Sequence, residues 1–343
     1  MNSCPSLPFR ETAFFLRDVM SAKVLATALQ AGVIDRLAVG PLSMAELSRR
    51  YAFAPAGKSF IAAGLKQAGI VDVTESAMHL SPRFRAVLEW RDLLETRLEL
   101  AAIVLPDFTE LTAALLGTGE DFMAQSATFD LFRYDRAKHR SDENRAATER
   151  WVRLLSVLSR YEADGLLKLL EQGATKHIID VGGNGGVLAH ALCGAWSDCR
   201  AQVFDLPVVC DIGRDMQNGD GLGTHMVTFV EGDLRHDPLP EGADLILFKS
   251  VLHDWPDRDI AVFLSKAVES LKTGGRIAIF ERTPFTFDAA MPAFYDLPNL
   301  MFMHVLRPPR LYAEILDNLG MTSIQQEQIE LDMPFYLTQA IKH

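Results

Sequence analysis

Several polar clusters in the second half of the chain have the residue types and spacing to do chemistry. Asp180-Val181-Gly182-Gly183-Asn184-Gly185-Gly186 follows the apolar pair Ile178-Ile179. Asp205 ends the run AQVFD, Asp233 follows VTFVEG, His253-Asp254 follows ADLILFKSVL, and Glu281 follows RIAIF. Glycines directly after a strand let the backbone approach a ligand closely at the carboxyl edge of a sheet. An acid about 20 residues further on, here Asp205, can take the ribose hydroxyls of an adenosine cofactor. Asp233 is placed one strand later, where an adenine amine would lie. A single acid at a strand end reads most simply as a helix cap or turn residue. Acids closing three successive strands favour a ligand site, because ligands bind at that edge.

Two ligands compete for the glycine turn. A dinucleotide fingerprint needs glycines in a G-x-G-x-x-G/A register. Starting at Gly183, the third position falls on Leu188; starting at Gly182, the second falls on Asn184. Neither register fits. Asp180 also brings negative charge beside the loop, which disfavours a diphosphate and suits a cationic, phosphate-free ligand such as S-adenosylmethionine.

The ordered motifs IIDVGGNGG, VFDLP, EGDL, LFKSVLHDW and GGRIAIFER, between Ile178 and Arg282, resemble the plant caffeate-type O-methyltransferases and their bacterial small-molecule relatives. The block Leu252-His253-Asp254-Trp255 is the most specific of them. The resemblance extends into the N-terminal region and implies a Rossmann-like class I methyltransferase sheet behind a helical winged-helix dimerisation domain. It implies S-adenosylmethionine as cofactor, S-adenosylhomocysteine as product and a homodimer. Carried over by position, it implies cofactor contacts at Gly182, Asp205, Asp233, Leu234 and Lys249, and Asp180, Gly183, Gly185 and Leu206 in the same turns are further cofactor-binding candidates. His253 matches the catalytic base and Glu281 the acid that orients it; Asp254 is a further catalytic candidate, read either as an acceptor supporting His253 or as a helix cap. Asn299, Met301 and Met303 align with the family's substrate-lining helix. The family's second orienting acid precedes an Arg-Thr pair. Here the stretch is Val305-Leu306-Arg307-Pro308, so Leu306 takes that position, and the preceding glycine pair is missing as well. Nothing resembles the acidic cation site of metal-dependent catechol-type enzymes, so no metal is expected.

Methyl transfer is an in-line displacement at a sulfonium carbon, and it needs an aligned, deprotonated acceptor. An imidazole, with an unperturbed pKa near 6.5, can take a hydroxyl proton at neutral pH. A carboxylate on the next strand end, Glu281, would fix its tautomer and raise its basicity. Methionines adapt to flat aromatic ligands, and Phe14, Phe15 and Phe129 are further candidates for an apolar wall. Trp255, His304 and His225 read as structural. The expected activity is methyl transfer to a hydroxyl of an aromatic or polyketide-like small molecule. The alternatives are N- or C-methylation, a non-methylating relative of the fold, or a winged-helix ligand-sensing regulator using Arg49, Arg50, Lys58 and Lys66.

These residues need a sheet to hold them. From His177 onward, short apolar runs alternate with helical stretches, the pattern of βαβ units and a parallel sheet. Met321–Ile329 and Pro334–Ile341 would close it as a terminal hairpin. Before Leu105 the chain reads as helical. Lys23–Leu37 carries one apolar stripe, Ser43 and Glu46 form a capping box, and Ser59–Gly69 is a further helix. Ile70–Thr74 and Met78–Leu80 form a hairpin. Glu143–Leu170 is a long helix. The expected division is residues 1–105 for dimerisation, 106–170 as a helical linker and substrate cover, and 171–343 for cofactor binding.

At 343 residues, with 48% hydrophobic and 23% charged side chains, the chain has material for a large core and is not a disordered sequence. Its net charge of −11 opposes partnership with nucleic acid or an anionic membrane. The first residues lack the apolar stretch of a signal peptide, and runs such as Ala101–Leu105 are too short to span a bilayer. Cys4, Cys193, Cys199 and Cys210 lack zinc or disulfide spacing and read as reduced core thiols of a cytoplasmic protein.

Overall fold

A computed structural model describes residues 6–110, 116–117, 119–219, 226–286 and 292–343. Cys4 and His225 lie outside the described residues. The chain divides into two compact units. One comprises Leu7–Leu105 with the described part of Phe287–Met301, and the other Pro106–Thr286 with Phe302–His343 and the N-terminal end.

The larger unit holds a seven-stranded sheet. In chain order its strands are β3 (His177–Val181), β4 (Arg200–Asp205), β5 (Val227–Glu231), β6 (Ala243–Lys249), β7 (Leu271–Arg282), β8 (Thr322–Glu330) and β9 (Pro334–Ile341). Across the sheet they run β5-β4-β3-β6-β7-β9-β8. The first five are parallel; β9 is antiparallel to both β7 and β8, which is the expected terminal hairpin. Central parallel strands are covered on both faces and so read as unbroken apolar runs. All five residues of β3, HIIDV, are buried. Ile179, Val181, Ile246, Phe248, Ile277 and Ile279 share one core with Phe263 and Leu264 of the helix Asp257–Ser270. The register places Asp180 beside Leu247, and Lys249 beside Phe280. The ends of β3, β4, β6 and β7 therefore carry Asp180, Asp205, the turn after Lys249, and Glu281 along one edge.

The smaller unit is a helical bundle with a two-stranded hairpin, β1 (Val71–Val73) paired antiparallel with β2 (Met78–Leu80). Leu42 bridges to Met78 alongside. The apolar stripe expected as one helix over Lys23–Leu37 is split into Val19–Gln30 and Val33–Val39. Gly32 breaks it by adopting φ +73°, a left-handed conformation that glycine takes without a Cβ clash. The stripe still serves one core, because Val24, Leu25, Ala28, Leu29, Val33 and Leu37 all bury in the same cluster. The helix expected over Ser59–Gly69 spans Pro55–Gln67, starting earlier because proline suits the first helical turn. Ser43 caps Met44–Arg50 by accepting from the Glu46 N–H at 3.1 Å, but the reciprocal half of the capping box is replaced. The Glu46 carboxylate instead accepts both donors of Arg36, at 2.7 and 2.9 Å.

Asn299–Met303 is not one helix: the helix is Leu297–Leu300, with turns through Val305. Cys193, Cys199 and Cys210 are buried free thiols. Among the described residues, no helix is long and apolar enough to cross a membrane.

Candidate active site

The site is built from the strand ends inward. Beyond β3 the chain turns sharply, with Gly182 at φ +66°. A Cβ on Gly182 would lie 2.7 Å from Val251 Cγ2, so the turn after β3 and the turn after β6 touch only because this residue is glycine. The Gly182 N–H donates to the Phe204 carbonyl at 2.8 Å, tying the loop to β4. Asp205, at the end of β4, accepts from the N–H groups of Asn184 at 2.9 Å and Leu206 at 2.7 Å.

Asp180 is almost fully buried, and its Oδ2 has no hydrogen-bond partner within the protein. A Cβ at Gly183 would sit 2.6 Å from that oxygen, so the side chain absent there leaves the oxygen uncovered. Burial pushes Asp180 up to about 7, against the pull of Lys249 and with the help of Asp205. Burial likewise lifts Asp205 to about 6, opposed by its two backbone donors. A buried carboxylate with an unpartnered oxygen, beside a half-buried one on the adjacent strand, suits a cationic ligand.

Asp233 is occupied differently. Arg235 grips it with two donors at 2.8 and 2.7 Å, and the Lys138 ammonium lies 3.0 Å away. These partners outweigh burial and hold its carboxyl well below the usual range. The Arg235 guanidinium lies 5.1 Å from the Trp255 ring centre. Leu206 and Leu234 pack against the cores on either side of this edge.

The imidazole comes from a tight turn. After β6, Ser250 adopts φ +53°, and a single 3₁₀ turn, Leu252–Asp254, follows. Glu281 at the end of β7 holds this turn: its Oε1 accepts from the N–H groups of Val251 and Leu252, each at 2.9 Å. Its Oε2 lies 2.6 Å from His253 Nδ1. With Glu281 ionised, Nδ1 carries the proton and the lone pair of neutral His253 resides on Nε2. Asp254 Oδ1 lies 3.4 Å from Nε2, and its Oδ2 accepts from the Tyr134 hydroxyl at 2.7 Å. Burial opposes charge on His253, but the carboxylates of Glu281 and Asp254 outweigh it, and the imidazole pKa is raised above 6.5. Burial alone would raise Glu281; the imidazole and the backbone donors win, and its carboxyl is lowered. Asp254 is raised by burial.

Sequence reasoning brought His253, Asp254 and Glu281 together, and the structure does the same. It missed Tyr134, whose signal is weak because it lies 120 residues from Asp254 in the chain. Leu306 is buried and apolar where an acid was sought, while a second carboxylate does face the imidazole from Asp254. Phe302 lies within the segment expected to line the substrate, between Met301 and Met303, and its ring centre is 5.3 Å from that of His253. Phe302 in turn meets Phe129 and Phe132, each at 6.2 Å. The Phe129 segment is pinned by buried Asp107, which accepts from the hydroxyls of Ser126 at 2.6 Å and Thr128 at 2.5 Å. Asn299 and Met301 are buried members of the smaller unit, and Met303 is half-buried in the larger one. Lys249 has its ammonium against the Glu162 carboxylate and 3.1 Å from Ser159 Oγ.

The sequence model of the O-methyltransferase domain matches residues 108–320. The chain is 28% identical over 194 residues to demethylspheroidene O-methyltransferase of Rhodobacter capsulatus, a match covering 54% of this chain and 46% of that enzyme. It is 28% identical over 268 residues to the N,N-dimethyltransferase OxyT of Streptomyces rimosus, covering 76% of this chain and 74% of that protein. The chain thus spans about half the length of the first of these relatives. Among solved structures, human N-acetylserotonin methyltransferase in complex with SAM superposes with a TM-score of 0.69 at 21% identity, covering 100% of this chain and 99% of that one.

Proposed function

Because the chain belongs to the O-methyltransferase family, we propose that it moves a methyl group from S-adenosylmethionine to a hydroxyl of an aromatic or polyketide-like small molecule. The observation that carries this reading is His253, held through Nδ1 by Glu281 at 2.6 Å, with Nε2 free to act as base. It stands on the same sheet edge as the bare Oδ2 of Asp180. S-adenosylmethionine supplies an activated methyl group on a cationic sulfur and leaves as S-adenosylhomocysteine.

The residues that would hold it are Asp180, Gly182, Gly183, Gly185, Asp205, Leu206, Asp233, Leu234 and Lys249. The uncovered Asp180 oxygen and the missing Cβ at Gly183 fit a cationic ligand. His253 takes the acceptor proton at Nε2. The imidazolium then lies between Glu281 and Asp254, the second carboxylate at 3.4 Å becoming a favourable partner once Nε2 is protonated. Phe302, whose ring centre lies 5.3 Å from that of His253, lines the acceptor side.

Residues 1–105 serve as the dimerisation domain of a homodimer, 106–170 cover the substrate, and 171–343 bind the cofactor, in a cytoplasmic protein. The exposed apolar side chains Leu7, Met20 and Phe60 on the N-terminal helices support the dimer. A second reading, N-methylation, is favoured by the similarity to OxyT and by Leu306 in place of an acid. The two readings separate by experiment. Mass spectrometry of candidate phenols and amines incubated with enzyme and S-adenosylmethionine identifies the methylated atom. His253→Gln should lower kcat for a phenol by about 10²–10⁴-fold while S-adenosylhomocysteine binding by calorimetry persists. Absence of cofactor binding to the native protein would refute methyl transfer, and undiminished turnover in His253→Gln would remove the base.

A further inference from the structure

The mechanism above leaves unused a buried group of charges just behind the catalytic turn. Arg282, the neighbour of Glu281 on β7, donates through Nη2 to Glu162 Oε1 at 2.6 Å and to Asp332 Oδ2 at 3.2 Å. Through Nη1 it donates to Ser250 Oγ at 3.1 Å. Its guanidinium carbon lies 4.5 Å from the Phe335 ring centre. Glu162 is itself almost fully buried, on the helix Asp142–Leu169. The same carboxylate meets Lys249, the residue before Ser250. One buried acid therefore anchors two consecutive residues at the end of β6, Lys249 directly and Ser250 through Arg282. Gly165, one helical turn after Glu162, allows this approach, since a Cβ there would lie 2.7 Å from Leu331 Cδ2.

Ser250 is a strained point. A non-glycine residue at φ +53° is disfavoured, and such residues persist only where surrounding contacts hold them. Two contacts do so here: the Ser250 N–H donates to the Phe280 carbonyl at 3.1 Å, and its hydroxyl accepts from Arg282. The next two residues offer their N–H groups to Glu281, and His253 follows. The strained residue thus sets the direction in which the turn presents the imidazole to Glu281.

We propose that Ser250 and Arg282, braced by Glu162 and Asp332, are positioning residues that hold the left-handed turn so that His253 Nδ1 meets Glu281 and Nε2 faces the acceptor. A buried charge cluster that only stabilised the fold would contribute to melting temperature and leave the imidazole unaltered. The proposal rests on His253 being the base, and its test is arranged so that the two can fail separately.

The test uses the full chain and the variant Ser250→Ala, which removes one hydroxyl and leaves every charge facing His253 in place: Glu281, Asp254 and Arg282. The His253 ring resonance, assigned by its loss in His253→Gln, is titrated by NMR. In the native protein it should titrate above 6.5, and in Ser250→Ala it should fall by roughly half a unit as the Glu281 contact loosens. Arg282→Lys keeps the charge but not the forked donors, and should give a fall of the same sign. With an identified acceptor, both variants should lose about tenfold in kcat, with S-adenosylhomocysteine affinity unchanged by calorimetry. An unmoved His253 titration in Ser250→Ala overturns the proposal, whatever happens to stability and even if Arg282→Lys fails to fold. If the native protein binds no S-adenosylhomocysteine, the methyltransferase reading fails while the titration still decides the positioning.

Discussion

Glu281→Gln exchanges a carboxylate oxygen for an amide nitrogen and keeps the side-chain shape, so its consequences follow from hydrogen-bond polarity. Oε1 now accepts from the N–H groups of Val251 and Leu252. The glutamine carbonyl can retain both bonds only by turning its NH₂ toward His253 Nδ1. A donor facing Nδ1 forces that nitrogen to accept, and the ring proton moves to Nε2, the atom required as base. The expected loss in kcat is about 10²–10⁴-fold, or about 2.7–5.4 kcal/mol of barrier. Stability reports the same pair without any acceptor. His253 is raised above 6.5, so its contribution is full below 6.5 and is lost as pH rises through the folded value. Glu281 is lowered from 4.5, so its contribution is present above 4.5 and is lost as pH falls through its folded value. The pair therefore stabilises most between these limits. Urea denaturation near pH 6 should show Glu281→Gln less stable by about 3–5 kcal/mol, because a buried imidazolium loses its partner. Near pH 9, where less of His253 is protonated, the deficit should be smaller. Equal deficits at the two pH values, or more than a tenth of native kcat, would refute this account of the pair.

Tyr134→Phe removes the hydroxyl that donates to Asp254 at 2.7 Å. It should cost about 1.5–3 kcal/mol in urea denaturation and lower kcat with the cofactor KM unchanged; an unaltered kcat would leave Asp254 without a part in supporting the imidazolium. Asp180 and Asp205, raised to about 7 and about 6, must be ionised to pair with a cation. Calorimetric affinity for S-adenosylmethionine should therefore strengthen between pH 6 and pH 8, with proton release on binding that shows as a buffer-dependent enthalpy, and a pH-independent affinity would separate these acids from the cofactor.

The sheet was legible because its signals are local. A parallel strand buried on both faces is an apolar run whatever lies elsewhere in the chain, so HIIDV, AQVFD, ADLILFK and RIAIF are visible as strands. The acids at their ends are visible as interruptions. The breaks in the N-terminal helices were less visible. The periodicity of Val24, Leu25, Ala28, Leu29, Val33 and Leu37 continues through Gly32, and only its left-handed backbone splits it. The second half of the capping box at Ser43 was lost for a similar reason, since Glu46 met a better partner in Arg36, ten residues away. Arg36 lies outside the window that predicts the capping box, whereas Gly32 lies within its helix window and acts through its backbone alone.

The contacts of His253 with Glu281 and Asp254 were legible, and the scaffold behind them was not. His253, Asp254 and Glu281 lie at strand ends, where position alone brings them near one another. Tyr134–Asp254 and Glu162–Arg282 each join residues 120 positions apart, and no spacing rule reaches that far. Glu162 did leave one trace, an acid among the buried positions Trp151, Val152, Ser159, Ala163 and Leu166 of its helix. A lone carboxylate on an apolar helix face demands a buried cation, and here Arg282 and Lys249 both supply one.

This pairing also explains how the edge keeps its negative field. Arg282 and Lys249 are cations next to the His253 turn in the chain, and both are engaged by acids other than Glu281. Successive residues on a strand point to opposite faces, so Glu281 goes to His253 while Arg282 goes to Glu162 and Asp332. Lys249 is likewise held by Glu162 and Ser159. With those cations engaged, Asp180 retains a bare, buried oxygen at about pKa 7. A buried carboxylate in that state is stabilised most by a cation arriving from solution.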